Sequence, residues 1–149
     1  VTEWEMMKGL GVPDDVAARA YEMMKVPGYC AALPVYPGAV EGVKALQEIA
    51  DVYAVTSPLG GTYWMPEREW WLAKHLGIDN KHVVHTSAKY LCKGDVLLED
   101  KTSTLVKWQE HHQKSTPILW DMPYNRKDVW YGRRTHDWSH VLAAVSVYA

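Results

Sequence analysis

A chain of 149 residues suits one domain with a single core, and an apolar fraction of 48% with 23% charged residues is that of a globular soluble protein. A formal net charge of −2 leaves no basic footprint, which argues against a nucleic-acid polymer as partner. Eight tryptophans and no phenylalanine assign core filling and pocket lining to Trp and Tyr. Cys30 and Cys92 are too few for a disulfide scaffold and read as buried free thiols in a reducing cytoplasm. With no signal peptide and no apolar run long enough to cross a bilayer, no membrane partner is expected. The chain opens on Val1, which reads as processing, tag removal or a missing beginning.

Taken in order, the first element is a short helix. Thr2 can cap it and Glu5 can close a capping box, with Trp4, Met7 and Leu10 on one face and Gly9, Gly11 and Pro13 ending it. Asp14 is expected to cap a second helix over Asp15 to Lys25, with Val16, Ala17, Ala20, Tyr21 and Met24 at helical spacing and Pro27-Gly28 as its stop. This pair precedes any strand and reads as an appended lid, with Tyr29 and Cys30 placed to face a ligand. A helix from Ala39 to Ile49 follows, with Val40, Val43, Leu46 and Ile49 on its buried side.

Asp51 to Thr56 reads as a strand that ends in Thr56-Ser57-Pro58-Leu59-Gly60-Gly61. Hydroxyls at a strand's carboxyl end, followed by a glycine-bearing loop, either present donors to an anion or form a plain turn. Pro66 starts a helix running through Trp70, Trp71, Leu72 and His75 to Leu76, and Arg68 on its first turn can reach the same anion. His82 to Thr86 is a second strand whose two histidines point to opposite faces, which rules against joint metal ligation.

Lys89 then stands ten and eleven residues ahead of Glu99 and Asp100, which close the apolar run Val96-Leu97-Leu98. Bounded by Gly94-Asp95, this run reads as a buried strand with acids at its carboxyl end, the end where open α/β sheets bind ligands. Paired carboxylates there repel unless a cation sits between them, and such oxygen pairs suit Mg²⁺. A lysine at the same edge can hold a phosphate as a point charge. The plainer alternative is a strand followed by an acidic helix start. A helix from Thr102 to Gln113 ends near His111 and His112, which read as solvated or dipole-compensating residues. A strand over Pro117 to Asp121, an exit loop from Met122 to Arg126 and a closing helix from Asp137 to Tyr148 complete the chain. The pattern is α/β with a parallel sheet.

Three motifs thus fall in order at three strand ends: Thr56-Ser57, Lys89 and Glu99-Asp100. This set resembles the haloacid-dehalogenase superfamily, and within it the 5′(3′)-deoxyribonucleotidase family. Thr2-Glu3-Trp4-Glu5, Pro27-Gly28-Tyr29, Pro37-Gly38-Ala39-Val40 and Asp137-Trp138 extend the likeness from about Thr2 to Ala144. The resemblance implies a Rossmann-like parallel sheet flanked by helices, with a partial helical cap over residues 1–33 and a core over 34–149. It implies Mg²⁺-dependent hydrolysis of a nucleoside monophosphate. Thr56, helped by Ser57, would bind the phosphoryl group, and Lys89 would neutralise nucleophile and phosphate. Glu99 and Asp100 would hold Mg²⁺, although the family usually has Asp where this chain has Glu99. Tyr29, with Trp4, would stack on the base, and Arg68 would reach the phosphate.

One family feature is absent. The superfamily places an aspartate nucleophile and a second Asp two residues on at the end of its first strand, and this sequence contains no Asp-x-Asp. In the family that strand lies between the strands ending here at Thr56 and Asp100. The expectation is a sheet without its first strand, whose exposed edges pair directly or are filled by a second copy or a complementing amino-terminal fragment. The chain alone is then expected to turn over negligibly. The competing expectations are a non-catalytic binding or assembly module, and a phosphatase for another small ester.

Overall fold

The computed structural model describes residues 5–60 and 62–149. Thr2, Trp4 and Gly61 lie outside the described residues, as does the side chain of Glu5, so the expected capping box and the second loop glycine are not addressed. In chain order the elements are α1 (Glu5–Gly9), α2 (Asp14–Met24), α3 (Ala39–Gln47), β1 (Ala54–Thr56), α4 (Trp64–Leu76), β2 (Val83–His85), β3 (Val96–Glu99), α5 (Thr102–His111), β4 (Thr116–Trp120), β5 (Arg133–Thr135) and α6 (Trp138–Ser146). Single 3₁₀ turns occupy Asn80–His82, Lys89–Leu91 and Pro123–Asn125.

The strands form two parallel sheets, β1–β2 and β3–β4–β5. β4 is the central strand of the larger sheet, and its apolar run Ile118-Leu119-Trp120 is buried, as a strand covered on both faces must be. Pro117 is tolerated there because β5 pairs only from Ile118 onward, so no ladder donor to β5 is lost. Ile118 and Trp120 pack with Leu46 of α3 and with Val141 and Ala144 of α6. Leu119, between them, points to the opposite face, where α5 lies with Leu105 and Trp108 fully buried. Burying side chains of this size stabilises by about 1.5–3 kcal/mol each. Beside β1, Val43 packs with Trp71, Leu72 and Ile78, and Val52 and Trp138 touch both this cluster and the one around β4. A third cluster of Met24, Cys30 and Trp64 ties α2 and the segment after it to α4. α4 ends on Gly77, whose left-handed φ of 65° closes the helix where a Cβ would be strained.

Several local expectations are corrected. Asp14 is the first residue of α2 and not its cap: the Pro13 carbonyl already accepts from Val16 and Ala17 N–H at 3.0 and 2.9 Å. Val16, Val40 and Ile49 are exposed, not buried. On α3 the inward place belongs to Gly42, which lies so close to the Trp138 indole that any Cβ would collide with the ring. Trp70 is also half-exposed, with Lys74 over its ring at 4.4 Å. β5 was unforeseen, since Arg133-Arg134-Thr135 offers no apolar alternation. His112 is not a solvated residue: its Nε2 bonds the Tyr90 carbonyl at 2.8 Å and its ring packs on Trp108. Direct pairing of β1 with β3, one of the expected ways to close the gap between them, does not occur.

Candidate active site

The carboxyl ends of the two sheets lie on a common edge. Lys89, four residues past the end of β2, reaches Glu99 at the end of β3, with Nζ 2.6 Å from Oε2. The Lys89–Leu91 turn packs on α5, and the Trp108 indole N–H donates to the Cys92 carbonyl at 2.9 Å, which fixes where the lysine starts. Glu99 is buried, and its other oxygen accepts from the backbone N–H groups of Asp100 and Lys101, each at 3.2 Å. Burial, then the neighbouring Asp100, hold the Glu99 carboxyl above the usual range, with Lys89 pulling the other way. Asp100 goes the opposite way. Burial would raise it, but hydrogen bonds from Glu99 and Tyr124 and the charge of Lys89 outweigh that and hold it low.

The loop after β4 supplies the remaining contacts. The Tyr124 hydroxyl donates to Asp100 Oδ2. Its own ionisation is pushed far up by burial and then by that bond, so it acts as a donor throughout the working range. Asn125, 2% exposed, is the anchor of this loop. Its amide donates to the carbonyls of Asp100 and Trp120, both at 2.8 Å, and its oxygen accepts from Met122 N–H at 3.1 Å and Arg134 at 2.9 Å. Arg134 also bonds Asp121, the residue just after β4, at 2.9 Å. Neither Tyr124 nor Asn125 stood out in the sequence. Their one signal was position, in a loop leaving the carboxyl end of a parallel strand.

Thr56 and Ser57 share this edge without touching the acids. The Thr56 carbonyl accepts from Thr86 N–H at 2.9 Å, and Ser57 Oγ lies 3.4 Å from the Thr86 carbonyl. Thr86 Oγ1 in turn accepts from Ala88 N–H at 3.0 Å, so one short run of backbone links the hydroxyls to Lys89. His85 turns to Glu69, with Nε2 3.1 Å from Oε1, while His82 bonds Asp79, so the two histidines are apart.

Tyr29 and Arg68 occupy the cap side. Glu67 accepts from the N–H groups of Gly28 and Ala31 at 2.6 and 3.2 Å, which fixes Tyr29 against α4. The Arg68 guanidinium stacks over Trp64 and Trp71 at 5.0 and 5.6 Å, and its buried Nε lacks a hydrogen-bond partner. Tyr29 is half-buried against the Met24–Cys30–Trp64 cluster. Cys30 does not face a ligand: it is fully buried, and burial pushes its thiol up, as in an inert core cysteine. Cys92 is half-buried, and both thiols are unpaired.

The paired acids suit a cation that keeps most of its waters and takes one or two carboxylates from the protein. Glu99 and Asp100 are adjacent acids, buried and half-buried, with Lys89 on one of them, and neighbouring carboxylates repel unless a cation lies between them. Among the described residues no third His, Cys, Asp or Glu joins them.

Comparison with known proteins bears on the family of the chain. The whole chain, residues 1–149, matches the model of the family described as 5′ nucleotidase, deoxy (pyrimidine), cytosolic type C. The chain belongs to the NT5C family. Among curated relatives, a Bordetella pertussis protein named "Putative 5′(3′)-deoxyribonucleotidase" is 30% identical over 94% of this chain and 78% of its own length. A Staphylococcus aureus protein of the same name is 31% identical over 80% of this chain and 64% of its own. The human 5′(3′)-deoxyribonucleotidase, cytosolic type, is 30% identical over 75% of this chain and 57% of its own. For this NT5C-family chain, the mixed α/β architecture with helix-flanked parallel strands agrees with the Rossmann-like expectation. Among the described residues no helix is long and apolar enough to cross a membrane.

Proposed function

We propose that this edge is the phosphate- and Mg²⁺-binding part of a 5′(3′)-deoxyribonucleotidase-like phosphatase acting on nucleoside monophosphates. The observation that carries the reading is the convergence of Lys89, Glu99 and Asp100 at the carboxyl end of a parallel sheet. Asp100, turned and polarised by Tyr124, and Glu99 beside it would hold the metal. Both Glu99 oxygens already engage Lys89 and backbone N–H groups, so Asp100 carries the larger share. Bound there, the ion would polarise the phosphoryl oxygens. Lys89 sets a fixed positive charge beside the phosphate, and Thr56 and Ser57 add hydroxyl donors from β1. Tyr29, pinned through Glu67, supplies an aromatic face for the base, and Arg68, stacked on Trp64 and Trp71, is assigned to the phosphate by the family likeness.

Covalent phosphoryl transfer needs an attacking carboxylate, and no Asp-x-Asp exists in the sequence. The residues present bind and orient, so the chain by itself is proposed not to turn over. Calorimetry is expected to show Mg²⁺ binding that Asp100→Asn removes, and phosphate release from dUMP or dTMP is expected to stay at background. Joining an amino-terminal segment that bears Asp-x-Asp is expected to restore Mg²⁺-dependent release. Release by the unmodified chain would overturn the claim of inactivity. Continued silence of the extended chain across a panel of phosphate esters would favour the second reading, a binding module that keeps the phosphate edge without the chemistry.

A further inference from the structure

Lys89 is carried by a single 3₁₀ turn, Lys89–Leu91, in the connection from β2 to β3. Within the turn the Ala88 carbonyl accepts from Leu91 N–H and the Lys89 carbonyl from Cys92 N–H, each at 3.0 Å. Hydrogen bonds of this kind are poorly aligned, and one such turn holds its shape weakly alone. The lysine adds a flexible four-carbon stem. Its side chain is nevertheless only 17% exposed, with Nζ 2.6 Å from Glu99 Oε2. A contact that close at the end of so free a stem needs the start of the stem fixed from outside.

The end of α5 does this. Trp108 and His112 stand four residues apart with their ring centroids 4.8 Å from each other. The Trp108 indole N–H donates to the Cys92 carbonyl at 2.9 Å, and His112 Nε2 lies 2.8 Å from the Tyr90 carbonyl. A carbonyl only accepts, so Nε2 carries the proton whether the ring is neutral or charged. The two gripped carbonyls bracket Leu91. Outside them the Tyr90 ring meets Lys107 Nζ at 4.0 Å and the His111 ring at 4.8 Å. His112 is itself anchored, because its backbone N–H donates to the Trp108 carbonyl at 3.0 Å. Trp108, 1% exposed, also fills the core, whereas His112 is half-buried. We propose that His112 is a positioning residue for Lys89: its Nε2–H, by gripping the Tyr90 carbonyl, sets the turn from which the ammonium reaches Glu99. That the ammonium then meets a phosphate rests on the functional reading above, whereas its place beside Glu99 does not.

Two variants separate the donor from the ring. His112→Phe keeps a ring against Trp108 and loses the donor, while His112→Gln keeps an N–H donor and loses the ring. The acetylation rate of Lys89 by acetic anhydride is read by mass spectrometry against that of Lys44, which is exposed on α3. Lys89 is expected to react about three- to tenfold faster in His112→Phe, the factor one hydrogen bond is worth, and close to the wild-type rate in His112→Gln. Orthophosphate affinity, followed by phosphorus NMR, is expected to fall by a similar factor in His112→Phe and to recover in His112→Gln. A wild-type labelling rate in His112→Phe would overturn the proposal. So would faster labelling in His112→Gln than in His112→Phe, the order that packing alone predicts. If His112→Phe does not fold, amide exchange at Leu91 and Cys92 in His112→Gln decides: wild-type protection supports the donor role and lost protection overturns it. Orthophosphate binding that Lys89→Ala leaves unchanged would sink the phosphate reading alone, and the labelling rates would still decide what places the lysine.

Discussion

β4 and β1 are both short parallel strands, yet Ile118 and Leu119 are 1% and 0% exposed while Ala54, Val55 and Thr56 are all only half-buried. The difference does not come from composition alone, since both runs are largely apolar. β4 has a hydrogen-bonded neighbour on each side and helices over both faces, whereas β1 pairs, among the described residues, with β2 alone. A strand in this fold is completed by its neighbours as much as by its own residues. The larger sheet therefore holds the better-buried strand, and the site acids sit at its carboxyl end.

The largest test of this contrast is in the cores. Leu119→Ala is expected to cost about 2–5 kcal/mol by urea unfolding, and Val55→Ala about 1 kcal/mol or less, because the half-open surroundings of Val55 leave little packing to lose. Equal losses would break the comparison. Next comes the loop that binds β4 to the acids. Asn125→Ala removes a buried group with four hydrogen-bond partners and is expected to cost about 2–3 kcal/mol. Leucine at this position, which keeps the volume, should not rescue stability.

The smallest effect concerns Asp121. Burial would raise its carboxyl, but Arg134 and Arg126 outweigh that and hold it below the ordinary value. A lowered native value means that its stabilisation is present above the unfolded value of about 3.9 and is lost as pH falls through the native one. Asp121→Asn is expected to cost about 1–2 kcal/mol at pH 7, where Arg126 is largely solvated. The two proteins should converge in stability as the solution is acidified below the ordinary carboxylate range. A gap that persists at acid pH would mean that packing, not charge, holds this end of β4.

The elements legible in the sequence are those whose periodicity coincides with burial. Val96-Leu97-Leu98 leading into Glu99 announced both β3 and the acidic edge, and Trp138, Val141 and Val145 announced α6. The Lys89–Glu99 contact could be anticipated only as a shared edge, because ten residues of spacing say nothing of a 2.6 Å approach. β5 escaped because its pairing depends on the backbone of β4 and its side chains are two arginines and a threonine. Tyr124 and Asn125 escaped because their roles arise from tertiary contacts to Asp100. Gly42 escaped because a glycine in a helix looks like a weakness until the Trp138 ring is set against it.

Gly9, the last residue of α1, rests so closely on the Tyr124 carbonyl that no larger residue would fit between them. Tyr124 is also the residue whose hydroxyl grips Asp100. The front helix and the acidic corner therefore meet at one residue. A side chain at position 9 would press on the backbone of the loop that carries the phenol, and so would disturb the donor on which Asp100 relies.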